Sequence, residues 1–100
     1  MFIAGHSGLV GSALVRRLTA DGFTDLRTVG RKDLDLRDQS AVDAWFEVER
    51  PQYVFLVAGT VGGVYANSTR PAEFLYDNLM IHGTVVQAAH RIGVEKLLYL

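Results

Sequence analysis

Short apolar runs alternate with longer stretches of helical period along this chain. Phe2-Ile3-Ala4 predicts a short strand ending at Gly5. Val10, Ala13, Leu14 and Leu18 then recur at helical spacing, with Gly22 as the stop. Asp25 to Val29 predicts a second, weaker strand. Asp38 is placed to cap a helix carrying Val42, Trp45, Phe46 and Val48, which must end before Pro51. Tyr53-Val54-Phe55-Leu56-Val57 is a β-prone run bounded by Pro51 and Gly59. A polar, glycine-rich loop from Gly59 to Arg70 leads to Pro71, which suits the first turn of a long helix. That helix carries Phe74, Leu75, Leu79, Val85, Val86 and Ala89 and stops at Gly93. Val94 to Leu100 reads as a buried strand. A fold rarely ends on the last residue of a central strand, so the pattern points to truncation.

Strands alternating with helices imply right-handed crossovers and a parallel sheet covered on both faces. The expected fold class is therefore α/β. Residues 1–100 would form the N-terminal part of a Rossmann-type, doubly wound domain that is incomplete here.

Composition removes several function classes. Hydrophobic residues make up 49% of the chain, enough for a core, which argues against disorder. The net charge is −1 with no basic block, which argues against nucleic acid or an anionic membrane as partner. No apolar run approaches the roughly 20 residues of a membrane span, and the start does not read as a signal peptide. With no cysteine, the chain holds no disulfide, thiolate metal site or thiol nucleophile. This fits a reducing, cytoplasmic setting. His82 and His90 lie eight apart with no supporting acid or cysteine cluster, so no metal site is expected.

The candidate chemistry begins in Gly5-His6-Ser7-Gly8-Leu9-Val10-Gly11, between the first strand and first helix. Gly5 allows a tight turn, Gly8 admits a pyrophosphate close to the backbone, and Gly11 lets the helix pack on the strand. Phosphates would sit on free N–H groups at the helix start. The spacing is G-x-x-G-x-x-G, and its place between strand and helix separates it from incidental glycines. The side chain of His6 is expected to point away, leaving backbone contact.

The second strand runs into Gly30-Arg31-Lys32, with no acid at its end. Arg31 and Lys32 there favour the 2′-phosphate of NADP, with Ser7 as an added donor. A solvated basic turn is the plain alternative.

The stretch Val61-Gly62-Gly63-Val64-Tyr65-Ala66-Asn67 through Pro71-Ala72-Glu73-Phe74 and Asn78-Leu79-Met80-Ile81 resembles the V-G-G-x-x-A-N-x-x-x-P-A-x-F-x-x-x-N-x-M-I pattern of the GDP-L-fucose synthases. The opening Phe2 to Ala13 also resembles that family, and the similarity runs the length of the chain. These enzymes are extended short-chain dehydrogenase/reductases. The resemblance implies NADPH-dependent 3,5-epimerisation and 4-reduction of GDP-4-keto-6-deoxy-D-mannose. It implies that Asp35 and Leu36 hold and cover the adenine, and that Ala58 and Gly59 pass close to the nucleotide. Asn78 would face the active site, unless it is simply exposed. The apolar residues of the helix from Pro71 to Ile92 exceed one stripe, so a second face is buried by the rest of the molecule or by another subunit; the resemblance implies a homodimer through this helix.

The chain departs from the family at Ser7, where a basic residue is usual, and at Thr60, where lysine is common. The family's Tyr-x-x-x-Lys pair is absent: Tyr53, Tyr65, Tyr76 and Tyr99 are not followed by lysine four residues on. No catalytic residue is therefore expected within the chain, and the segment alone should be inactive. Two rival functions stay open. One is another nucleotide-sugar epimerase or reductase of the superfamily; the other is a non-catalytic, NADP-sensing module.

Overall fold

The computed structural model describes residues 1–58 and 71–99. Three strands, β1 (Phe2–Ala4), β2 (Tyr53–Leu56) and β3 (Lys96–Tyr99), form one sheet in the order β1-β2-β3. Both pairings are parallel, with Phe2 opposite Val54 and Val54 opposite Leu97. Three helices connect or flank them: α1 (Leu9–Ala20), α2 (Gln39–Glu49) and α3 (Pro71–Ile92).

Strand alternation sorts the side chains. Phe2, Ala4, Val54 and Leu56 join Val42 and Phe46 of α2 and Ile81, Val85, Ala88 and Ala89 of α3 in one core. The Phe2 ring meets Trp45 at 4.2 Å and the edge of Phe46 at 5.6 Å. Phe46 thus belongs to the helix–sheet core and Trp45 packs against it. Burying apolar surface here is the main source of stability. Ile3 points to the other face and is also buried. Leu14, Val15 and Leu18 of α1 are only half-buried, which leaves that layer thinner.

The helix ends follow the sequence signals. The Asp38 side chain accepts from the Ala41 N–H at 3.2 Å and caps α2. Arg50, in the left-handed region at φ 44°, closes that helix before Pro51. Gly93 takes φ 74° just after α3, a conformation that costs other residues more.

Two expectations need correction. The stretch from Asp25 to Val29 does not form a strand: its one ladder contact is a parallel bridge of Arg27 with Phe2. The Arg27 N–H donates to the Met1 carbonyl oxygen at 2.7 Å, and the Arg27 carbonyl oxygen accepts from the Ile3 N–H at 3.0 Å. The Arg27 guanidinium is drawn to Asp25 and Glu49, and exposed Thr24 and Asp25 have nothing to bury. The last strand is not buried either. Leu98 and Tyr99 are about half exposed, because β3 is an edge of this sheet. The loop from Gly59 to Arg70 and the final Leu100 lie outside the described residues.

Candidate functional site: a cleft over the glycine turn

β1 ends in a turn whose shape is dictated by backbone contact. Gly5 has φ 101°, and a Cβ there would meet the Ala58 backbone at 2.6 Å. At Gly11 a Cβ would come within 1.9 Å of the Gly5 carbonyl oxygen. These two glycines let strand, turn and helix press together. Gly8 differs. Its φ is −75° and an added Cβ would find only the Gly5 oxygen, at 3.6 Å. Among the described residues nothing requires glycine at position 8, and the open space above it is available to a ligand. No side chain caps α1 at Gly8. The first N–H groups of a helix lack intrahelical partners and favour anions.

Above the turn lies a cleft of about 820 Å³, within the usual range for a small-molecule site. Gly5, His6, Ser7, Gly8, Leu9 and Val10 form its floor. The segment after the Arg27 bridge supplies Arg31, Asp35 and Leu36, and the end of β2 supplies Ala58. The structure thus brings ten expected site residues into one concavity. Gly11 sits beneath the turn rather than in the cleft, consistent with its packing role. Arg31 lines the cleft, whereas Lys32 beside it is exposed and outside the lining. Gly59 lies outside the described residues.

Several lining residues carried no signal in the sequence. Val29, Leu34, Val57 and Ile81 add apolar wall, while Arg37 and Asp77 add charge. Arg37 donates to Asp35 through Nε at 3.1 Å and Nη2 at 3.0 Å, and its backbone N–H reaches Asp35 Oδ1 at 3.0 Å. Its Nη1 reaches Asp77 Oδ1 at 3.3 Å. Hydrogen bonds from the Arg37 side chain and backbone hold the Asp35 carboxyl below the ordinary aspartate range. Reciprocally, Asp35 and then Asp77 raise the guanidinium above its usual value.

His82 is held between two strand ends. Its Nε2 lies 3.0 Å from the Ala58 carbonyl oxygen, which can only accept, so Nε2 carries the proton. Nδ1 then accepts from the Tyr99 hydroxyl at 2.6 Å. Among the described residues no group of three His, Cys, Asp or Glu side chains is placed to hold a metal, and no helix is long and apolar enough to cross a membrane.

A parallel sheet, a glycine turn opening a helix and a cleft beyond the strand ends together define a Rossmann-type dinucleotide-binding domain. The model of the NAD dependent epimerase/dehydratase family matches residues 1–100, and the chain belongs to that family. It is 49% identical over 100 residues to GDP-L-fucose synthase 1 of Arabidopsis thaliana, covering all of this chain and 31% of that protein. It is 47% identical over 100 residues to GDP-L-fucose synthase of Escherichia coli, again covering all of this chain and 31% of its relative. Among solved structures, the GDP-mannoheptose C4 reductase MlghC of Campylobacter jejuni with NADP bound superposes with a TM-score of 0.93. That likeness is 43% identical and covers 98% of this chain and 29% of the other. The chain thus spans about a third of the length of the relatives it matches.

Proposed function

We propose that residues 1–100 are the NADP-binding part of a GDP-L-fucose synthase acting on GDP-4-keto-6-deoxy-D-mannose. The observation that carries this reading is the cleft floored by Gly5 to Val10, with Arg31 on its wall and no acid at the end of the second segment. The lining fits the cofactor: helix N–H groups for the pyrophosphate, Arg31 and Ser7 as donors to the 2′-phosphate, Asp35 as acceptor and Leu36 as apolar cover for the adenine. Bound there, NADPH would supply a hydride for the sugar's C4 carbonyl. This chain's own residues bind and orient the dinucleotide, and the proton-transfer groups belong to other parts of the enzyme.

The identity of about half to GDP-L-fucose synthases supports the sugar nucleotide as substrate. The neighbouring heptose reductase supports the broader reading, a nucleotide-sugar reductase of different sugar specificity. Turnover of GDP-4-keto-6-deoxy-D-mannose against a GDP-4-ketoheptose by the full-length enzyme, of which this chain is a part, separates the two.

Homodimerisation through α3 belongs to the same reading. One stripe of α3, Ile81, Val85, Ala88 and Ala89, is buried in the core. A second, Leu75, Tyr76 and Leu79, is more than half exposed. Leu79→Glu in the full chain should halve the sedimenting mass while leaving the cofactor domain folded.

The test of the cofactor is Arg31→Ala. It should cost about 1–3 kcal/mol of NADPH affinity, the range for a hydrogen bond to a charged group, and should barely change NADH. Equal losses for both cofactors would remove Arg31 from the 2′-phosphate.

A further inference from the structure

We infer that Arg37 is a positioning residue for the adenosine end of the cofactor, tying the Asp35 carboxylate to Asp77 on α3 so that one acceptor site faces the cleft. The inference rests on the cofactor reading above and adds two residues to it.

Arg37, Asp35 and Asp77 come from two segments of the chain, and all three line the cleft together with Leu36. Exposed ion pairs of this kind contribute little to stability. The side chains of Arg37 and Asp35 are each close to half exposed, so folding alone does not account for three hydrogen bonds converging on one carboxylate. Those three bonds fill three of the roughly four lone-pair sites of an ionised aspartate. Both donors to Oδ1 come from Arg37, as does the single donor to Oδ2. What remains is one acceptor direction on Oδ2, enough for a single N–H of an exocyclic amino group.

The next residue is fixed as well. The Thr84 hydroxyl contacts the Leu36 carbonyl, and Gln39 Nε2 donates to the Thr84 carbonyl at 3.2 Å. Leu36 is therefore anchored to α3 through its backbone while Asp35 is anchored through Arg37 and Asp77. The pair is held from both sides, with the apolar side chain and the carboxylate presented to the same cleft. A guanidinium fork suits this bridging because its donors are planar and permanently charged; a lysine offers one point charge that satisfies one carboxylate at a time.

The ligand chemistry follows. A base with an amino group at this position gains a hydrogen bond to Asp35. A base with a keto oxygen there meets a carboxylate and gains none. The experiment titrates the full chain with NADPH and with its hypoxanthine analogue, in which an oxygen replaces the amino group. The wild type should bind NADPH about tenfold more tightly, the scale of one hydrogen bond to a charged group. Arg37→Ala should bring the ratio close to one by weakening NADPH alone. Asp77→Asn should lose part of it, and Arg37→Lys should restore part of what alanine loses. Binding of NADPH by the wild type with the ratio unchanged in Arg37→Ala and Asp77→Asn would overturn the inference alone. A wild type that binds neither nucleotide would overturn the cofactor reading, and this inference with it.

Discussion

Helices α1 and α2 begin in opposite ways. At the start of α2 the Asp38 carboxylate turns back onto the Ala41 N–H and completes the helix from within. At the start of α1 stands Gly8, which has no side chain to offer a cap. The first arrangement satisfies the chain's own backbone. The second leaves the positive end of the helix dipole facing a cleft of about 820 Å³. The same local physics thus serves stability in one place and binding in the other, and a single substitution at each start should separate them.

The largest effect is expected at Gly11, where strand and helix touch. A Cβ 1.9 Å from the Gly5 oxygen cannot be accommodated without moving the turn. Gly11→Ala should therefore lose about 1–3 kcal/mol of stability together with cofactor binding, read from urea midpoints and NADPH titration. Gly8→Ala should split those readouts. Its Cβ makes only an ordinary contact at 3.6 Å, so the urea midpoint should hold. NADPH affinity should nonetheless fall at least about tenfold, or ~1.4 kcal/mol, as the methyl group fills the space kept for the pyrophosphate. A loss of stability equal to that of Gly11→Ala would show that position 8 serves the fold. Asp38→Ala is the mirror image: about 1 kcal/mol of stability lost, with NADPH affinity unchanged.

The smallest effect concerns pH. Asp35 titrates below the ordinary aspartate range because Arg37 hydrogen-bonds its charged form. A depressed folded-state value means its contribution is complete above the unfolded value and is lost as pH falls through the folded one. In Arg37→Ala the Asp35 carboxyl should titrate at higher pH than in the wild type, a shift followed by carbon NMR of the side chain. An unmoved titration would place the carboxylate outside the influence of Arg37.

What was legible in the sequence divides along the same line between local and distant signals. Asp38 before an apolar period, Pro51 after it and the glycine turn between Ala4 and Leu9 are local patterns, and each marks the feature found. The segment from Asp25 to Val29 shows why residue types alone do not settle a strand: the ladder there has a single bridge, Arg27 to Phe2. Arg37 and Asp77 meet across much of the chain, and no spacing rule joins them. The spacing of His82 and His90 says only that a metal site is not expected. The actual partners of His82 are a backbone carbonyl and a tyrosine hydroxyl on two strand ends, and a carbonyl acceptor leaves no mark on a sequence.

The pairing of Phe2 with Val54 has a consequence for the order of events in folding. Gly5 is shaped by its contact with the Ala58 backbone, so the cleft floor is not defined until the ends of a loop half the chain long have met. Closing such a loop loses chain entropy before any contact rewards it, and topologies built on distant pairings fold slowly. The helices α1 and α2 can form from local interactions, but the nucleotide site belongs to the late, cooperative part of folding. Refolding monitored by helix signal and by NADPH binding should therefore give two different time courses, with the helix signal first.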